Sequence, residues 1–178
     1  DISEWAAGQE SVQLAFRYDG QTYFWAIDDV VVSEMPKNDL VLESVRYPLT
    51  SYAQPASQIA GDTLRFALTV SNRGLDDQIN VVKRVSVLGP EEELLFTDSI
   101  LTGFFPLGYE NIEYLFPNPF VLENLEPGNY KVAYEVYSQE ATDAAPGNNR
   151  AELPFSVTEN IYAKEYGEYY GAINWTAG

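Results

Sequence analysis

The chain has 178 residues, 46% of them hydrophobic and 14% aromatic, which is enough apolar material for a packed core and too much for a disordered chain. Twenty-seven acidic residues outnumber ten basic ones, for a formal net charge of −17, so a phosphate backbone is repelled and nucleic acid is excluded as a partner. With no Cys there are no disulfides or thiolate metal sites, and with no His the usual general base and the commonest transition-metal ligand are missing.

No apolar run approaches the length of about 18 residues that a membrane-spanning helix needs. The acidity serves solubility first. It also supplies carboxylates, the hard oxygen ligands that calcium prefers.

In chain order, period-two alternation dominates and helical periodicity is absent. Val12, Leu14, Phe16 and Tyr18 alternate with Gln13, Ala15 and Arg17. Asp19-Gly20 follows, then a second run from Gln21 to Val32, which together predict a tight hairpin. The second run is apolar at both parities, so it predicts a strand covered on both faces. Residues 1–35 alone cannot supply that cover, and a lone hairpin is marginal in water. They read as the closing hairpin of a domain whose remainder lies elsewhere.

Residues 36–39 read as a linker, with Pro36 interrupting any ladder. Residues 40–158 carry a full set of sandwich strands. The first is Leu40–Arg46. A second, Thr63–Asn72, faces Leu64, Phe66, Leu68 and Val70 inward and Arg65, Ala67, Thr69 and Ser71 outward. Asn72-Arg73-Gly74 is a turn in which glycine is free to take positive φ. Ile79–Leu88 is a strand of ambiguous parity, with a bulge as one explanation. Leu94–Ser99 is a short strand and Asn111–Phe116 another.

Leu125-Glu-Pro-Gly-Asn-Tyr130 leads into a strand with Tyr130, Val132, Tyr134 and Val136 on one face. Asp143 to Asn149 is a turn-rich loop, and Leu153, Phe155 and Val157 mark the last strand. Seven or so short strands with turns between them fit an immunoglobulin-like sandwich. Residues 159–178 crowd Tyr162, Tyr166, Tyr169, Tyr170 and Trp175 among glycines, as the start of a further domain or a tail.

The Leu-x-Pro-Gly-x-Tyr run resembles the tyrosine corner of fibronectin type III and related sandwiches, with Tyr130 at the structural position. Val70-Ser-Asn-Arg-Gly74, followed by Pro146-Gly-Asn-Asn149 before the last strand, resembles the CARDB class of bacterial immunoglobulin-like domains. The N-terminal run, ending in Trp25-Ala-Ile-Asp-Asp-Val30, resembles the closing hairpin of MAM-like and cleaved-adhesin jelly rolls. Such modules occur together in large secreted Bacteroidota surface proteins.

The resemblance implies an all-β chain: a CARDB-like sandwich flanked by fragments of neighbouring jelly-roll domains. It implies an extracellular location and a structural calcium at Asp28 and Asp29. Each Asp also has apolar neighbours of its own parity, which turns one carboxylate inward. A buried carboxylate must be paired, hydrogen-bonded or metal-bound.

Asp62-Thr63-Leu64 and Asp98-Ser99-Ile100 match a short O-glycosylation pattern of such bacteria, making Thr63 and Ser99 candidate sites. Asn174-Trp175-Thr176 is a sequon that reads as chance, and Trp175 with the C-terminal tyrosines offers stacking faces for sugar rings. Glu91–Glu93 and Asp76-Asp77 read as solvated turns, and no spacing pairs two carboxylates for glycoside hydrolysis.

The expected function is therefore that of a non-catalytic structural or adhesive module. It spaces and presents neighbouring domains of a long surface protein, or packs against other copies in a fibre. The alternatives are an accessory module of a secreted hydrolase and a carbohydrate-binding module with glycan partners.

Overall fold

A computed structural model describes residues 2–6, 8–20, 26–28, 30, 34–46, 48–49 and 52–164. The chain divides into two units, Asp1–Glu34 and Met35–Gly178. Among the described residues no helix is long and apolar enough to cross a membrane.

The first unit opens with one helical turn, α1 (Ser3–Ala6), closed by the N–H groups of Trp5 and Ala6 on the Ile2 carbonyl. The expected strand Val12–Tyr18 does not form. Residues 11–20 carry no regular secondary structure, and Val12, Leu14, Phe16 and Tyr18 are 43–56% exposed. Ile27 and Val30 are also exposed, so the described part of the second run is not covered on both faces. Tyr23, Phe24, Trp25, Asp29, Val31 and Val32 lie outside the described residues. The physical reason is that alternation favours a strand only where one face is buried, and the described residues of this unit offer no sheet to bury it against.

The second unit is a two-sheet sandwich. One sheet orders β1 (Leu40–Val45), β4 (Ala67–Asn72) and β7 (Ile112–Leu115). The other orders β2 (Ala53–Pro55), β10 (Arg150–Thr158), β9 (Gly128–Ser138), β5 (Gln78–Leu88) and β6 (Leu94–Phe105). A two-stranded piece, β3 (Thr63–Leu64) with β8 (Phe120–Val121), and a short helix α2 (Ala56–Ile59) complete it. Every strand pair is antiparallel except β2 with β10, which is parallel. The first segment therefore crosses from one sheet (β1) to the other (β2), an immunoglobulin-like arrangement.

The core forms where inner faces meet. Leu64, Phe66, Leu68 and Val70 are fully buried against Val81, Val85 and Val87 of β5 and Val132, Tyr134 and Val136 of β9. Three details differ from the sequence reading. Thr63–Asn72 is two strands, β3 and β4, and the expected outward residues Ala67 and Ser71 are buried. Ser71 is held inside because its Oγ accepts the N–H of Asn111. The short strand expected at Leu94–Ser99 runs on to Phe105, since β5 offers a ladder along its whole length.

Two backbone positions explain the ambiguous parity and the glycine turn. Asn80 has φ 52°, which rotates β5 so that Gln78 and Val81 both face inward. Gly74 does not take a positive φ. Its lack of a side chain is needed because a Cβ there would sit 2.4 Å from the Lys37 carbonyl oxygen. That close approach packs residues 36–39 onto the β4–β5 turn, where Leu75 N–H bonds the Pro36 and Lys37 carbonyls.

Candidate functional site

Tyr130 begins the buried face of β9. Pro127-Gly128 turns the chain, and the Tyr130 hydroxyl donates to the Glu126 carbonyl at 2.7 Å. Its ring stacks on Phe155 of β10 with centroids 5.2 Å apart. Burial, with the charge of Glu93 behind it, pushes the phenol above its ordinary range. Tyr130→Phe removes the bond while keeping the ring, and chemical denaturation is expected to show a loss of about 1 kcal/mol. An unchanged midpoint would show that the turn holds without it.

β5 also carries a lysine into the core. Lys83 shares the inward parity of Val81, Val85 and Val87 and is 0% exposed. Its Nζ donates to Thr102 Oγ1 on β6 and to the Val81 carbonyl at 3.2 Å. The ammonium lies 4.2 Å from the Tyr114 ring centroid and 5.5 Å from that of Phe105. None of the ion pairs among the described residues includes it. Burial pushes the amine down from 10.5 to about 8. The sequence reading missed this residue; once β5 parity is fixed from Val81 and Val85, Lys83 follows.

On the opposite face of the same sheet, charges cancel. Glu135 of β9 binds Arg84 of β5 and, at 3.7 Å, Arg150 of β10. Lys131 of β9 bonds Glu92 at 2.7 Å and Glu152 at 3.4 Å, and the Glu92 bond is the main reason its ammonium is held above the ordinary value. Arg84 also lies 5.4 Å over the Tyr137 ring. Shallow hollows open on either side of Arg84, Glu135 and Arg150. In a chain of net charge −17 this face is locally balanced, suited to contact with a neutral polar surface.

Asp28 is exposed and Asp29 lies outside the described residues. No three of Asp, Glu, His or Cys converge among the described residues. A second acidic corner, at the entry to β1, is satisfied by N–H donors instead. Asp143 accepts from Leu40 N–H and Ala145 N–H, both at 2.7 Å, and Asp39 accepts from the Asn148 side-chain amide at 3.1 Å. The Asn148 side-chain nitrogen faces Asp39, while the Oδ1 atoms of Asn148 and Asn149 are buried with no hydrogen-bond partner.

Thr63 and Ser99 are both exposed on strands. Asp98 carboxylate oxygens accept the N–H groups of Ser99 and of Asn118. Trp175, Asn174 and the tyrosines from 166 onward lie outside the described residues.

No family model and no curated protein matches the chain. Solved structures do. A CARDB domain from Pyrococcus furiosus, crystallised in complex with di-metal ions, is 16% identical over 75% of this chain and 100% of its own, with a TM-score of 0.44. The solution structure of a CARDB domain from the same organism is 18% identical over 71% and 100%, with a TM-score of 0.45. A beta-glucuronidase from Parabacteroides merdae is 17% identical over 67% of this chain, with a TM-score of 0.44, and the match spans only 13% of that enzyme. The assignment of the second unit as an immunoglobulin-like sandwich rests on its own strand order.

Proposed function

We propose that this chain is a non-catalytic, load-bearing spacer from a longer extracellular protein, with neighbouring domains of that protein as its partners. The observation that carries the reading is the path of the chain through the second unit. β2 runs parallel to β10, with Ser156 opposite Ala53 and Thr158 opposite Pro55. The chain thus enters the sandwich beside the start of β10, where Asp143 clips Leu40, and leaves past the end of β10 at the other end. Nine residues of β10 set these points about 30 Å apart.

Modules connected end to end need this path. Tension between entry and exit shears the β2–β10 pair. The bonds there, including Ser156 N–H to the Tyr52 carbonyl at 2.8 Å, are loaded together. An antiparallel hairpin pulled at its open end yields one bond at a time. The acidity keeps such modules soluble and apart.

Single-molecule force spectroscopy tests this. The chain has no Cys, so paired handles can be placed at Lys37 and Asn160, or at Asp76 and Leu107, the open end of the β5–β6 hairpin. The unfolding force is expected to be clearly higher along the first axis. Equal forces, or the reverse order, would remove the load-bearing reading.

A further inference from the structure

We propose that β6 is an interface between copies of this chain, two copies pairing β6 to β6, antiparallel, about a two-fold axis. The proposal does not depend on the load-bearing role.

β6 ends the five-stranded sheet and, among the described residues, pairs only with β5. At 12 residues it is the longest strand among the described residues, about 40 Å from end to end. Exposed edges are ordinarily blunted by lysine, proline, bulges or brevity. Leu94-Leu-Phe-Thr-Asp-Ser-Ile-Leu-Thr-Gly-Phe-Phe105 has no proline and no basic residue, and Asp98 is its one charge. The register shift in its ladder falls at Leu88, opposite Leu94, and Asn80 interrupts the ladder once more, between the Val81–Thr102 and Ile79–Phe104 pairs. Leu94, Leu101 and Phe104 are 57–60% exposed, and Ile79, opposite Phe104, is also exposed.

A neutral, apolar edge selects a neutral, apolar strand. In a chain of net charge −17, β6 is such a strand, and an antiparallel pair about a two-fold is self-complementary. Opposed residues must lie on the same face, which fixes the register to even sums of residue numbers. Centring the axis on Ser99 sets Leu94 of one copy against Phe104 of the other and Leu101 against Thr97. Asp98 then faces Ile100, so the two carboxylates are not directly opposed. A pair of this length buries on the order of 1,200 Å², the low end for specific association, and the ladder of backbone bonds between the two strands adds to it. The remaining charge of the two copies repels, so screening strengthens the pair.

Sedimentation velocity of the whole chain across concentration, at low and high salt, reads the association. The expected result is a monomer–dimer equilibrium that shifts to dimer as salt rises. Ser99→Cys, the only cysteine in the chain, is expected to cross-link into covalent dimers on mild oxidation, and Ser86→Cys on β5 is not. Leu101→Lys is expected to weaken the dimer by about tenfold or more with an unchanged melting temperature, since the side chain is exposed. Val121→Lys on β8 is expected to leave it intact. A chain that stays monomeric at every salt overturns the proposal. So does a dimer indifferent to Leu101→Lys, or one that loosens as salt rises, which would indicate a charged contact elsewhere.

Discussion

Lys83→Met is expected to stabilise the second unit at neutral pH by about 1–3 kcal/mol, although it removes two hydrogen bonds. The ammonium is fully buried between Tyr114 and Phe105, and no carboxylate among the described residues is paired with it. The distance from 10.5 down to about 8 corresponds to at most about 3 kcal/mol of cost carried by the charged form. Methionine fills a similar volume without the charge. Thr102 is only half-buried, so its hydroxyl can turn to water.

The pH dependence has a definite sign. Between pH 8 and 10.5 the unfolded chain holds the Lys83 proton and the folded chain has released it, so this group makes stability rise with pH across that window. Tyr130 and Tyr134 act oppositely. Burial raises both phenols, so above about pH 10 the unfolded chain loses protons first and stability falls. Urea melts should therefore show a stability maximum between these limits, and Lys83→Met should abolish the rising limb while leaving the falling one. A variant less stable than the parent at pH 7 would mean that the bonds to Thr102 and Val81 outweigh the cost of burying the charge.

How far the fold could be read in advance depended on where each strand sits. β9 is flanked on both sides, by β10 and β5, and buried on one face, so Tyr130, Val132, Tyr134 and Val136 alternate cleanly and were legible. β4 was half legible. Its inner face follows the pattern, but Ala67 and Ser71 are buried by tertiary contacts that no local period encodes. The pairing of β2 with β10 joins three residues to a strand about a hundred positions away and leaves no periodic trace. The first unit failed in the other direction. Val12 to Tyr18 has strand chemistry, yet exposed side chains give the pattern nothing to stabilise. Among site residues, Tyr130 was marked by the glycine turn before it, whereas Lys83 broke the hydrophobic pattern and so hid within a strand of unclear parity.

Tyr134 is expected to be the costliest single truncation of those considered. It is 1% exposed at the middle of β9 and meets Phe66 edge-on at 6.3 Å and Phe116 at 6.4 Å, both from the opposite layer. Its hydroxyl crosses the sandwich to donate to the Arg46 carbonyl at 2.8 Å, just past the end of β1. The ring thus ties the five-stranded sheet to the point where the chain leaves one sheet for the other. Tyr134→Ala empties that space and should cost about 3–5 kcal/mol. In a domain whose whole stability is about 5–15 kcal/mol, that loss alone is enough to populate the unfolded chain at elevated temperature. Tyr134→Phe keeps the ring and its packing, removes only the donor, and should cost about 1–2 kcal/mol. It should also flatten the loss of stability above about pH 10, because a raised phenol favours folding below the unfolded value and ceases to as the pH passes it. The two variants divide the residue into ring and hydroxyl. If both lost the same amount, the packing against Phe66 and Phe116 would contribute little, and the bond to Arg46 would be what holds the layers in register.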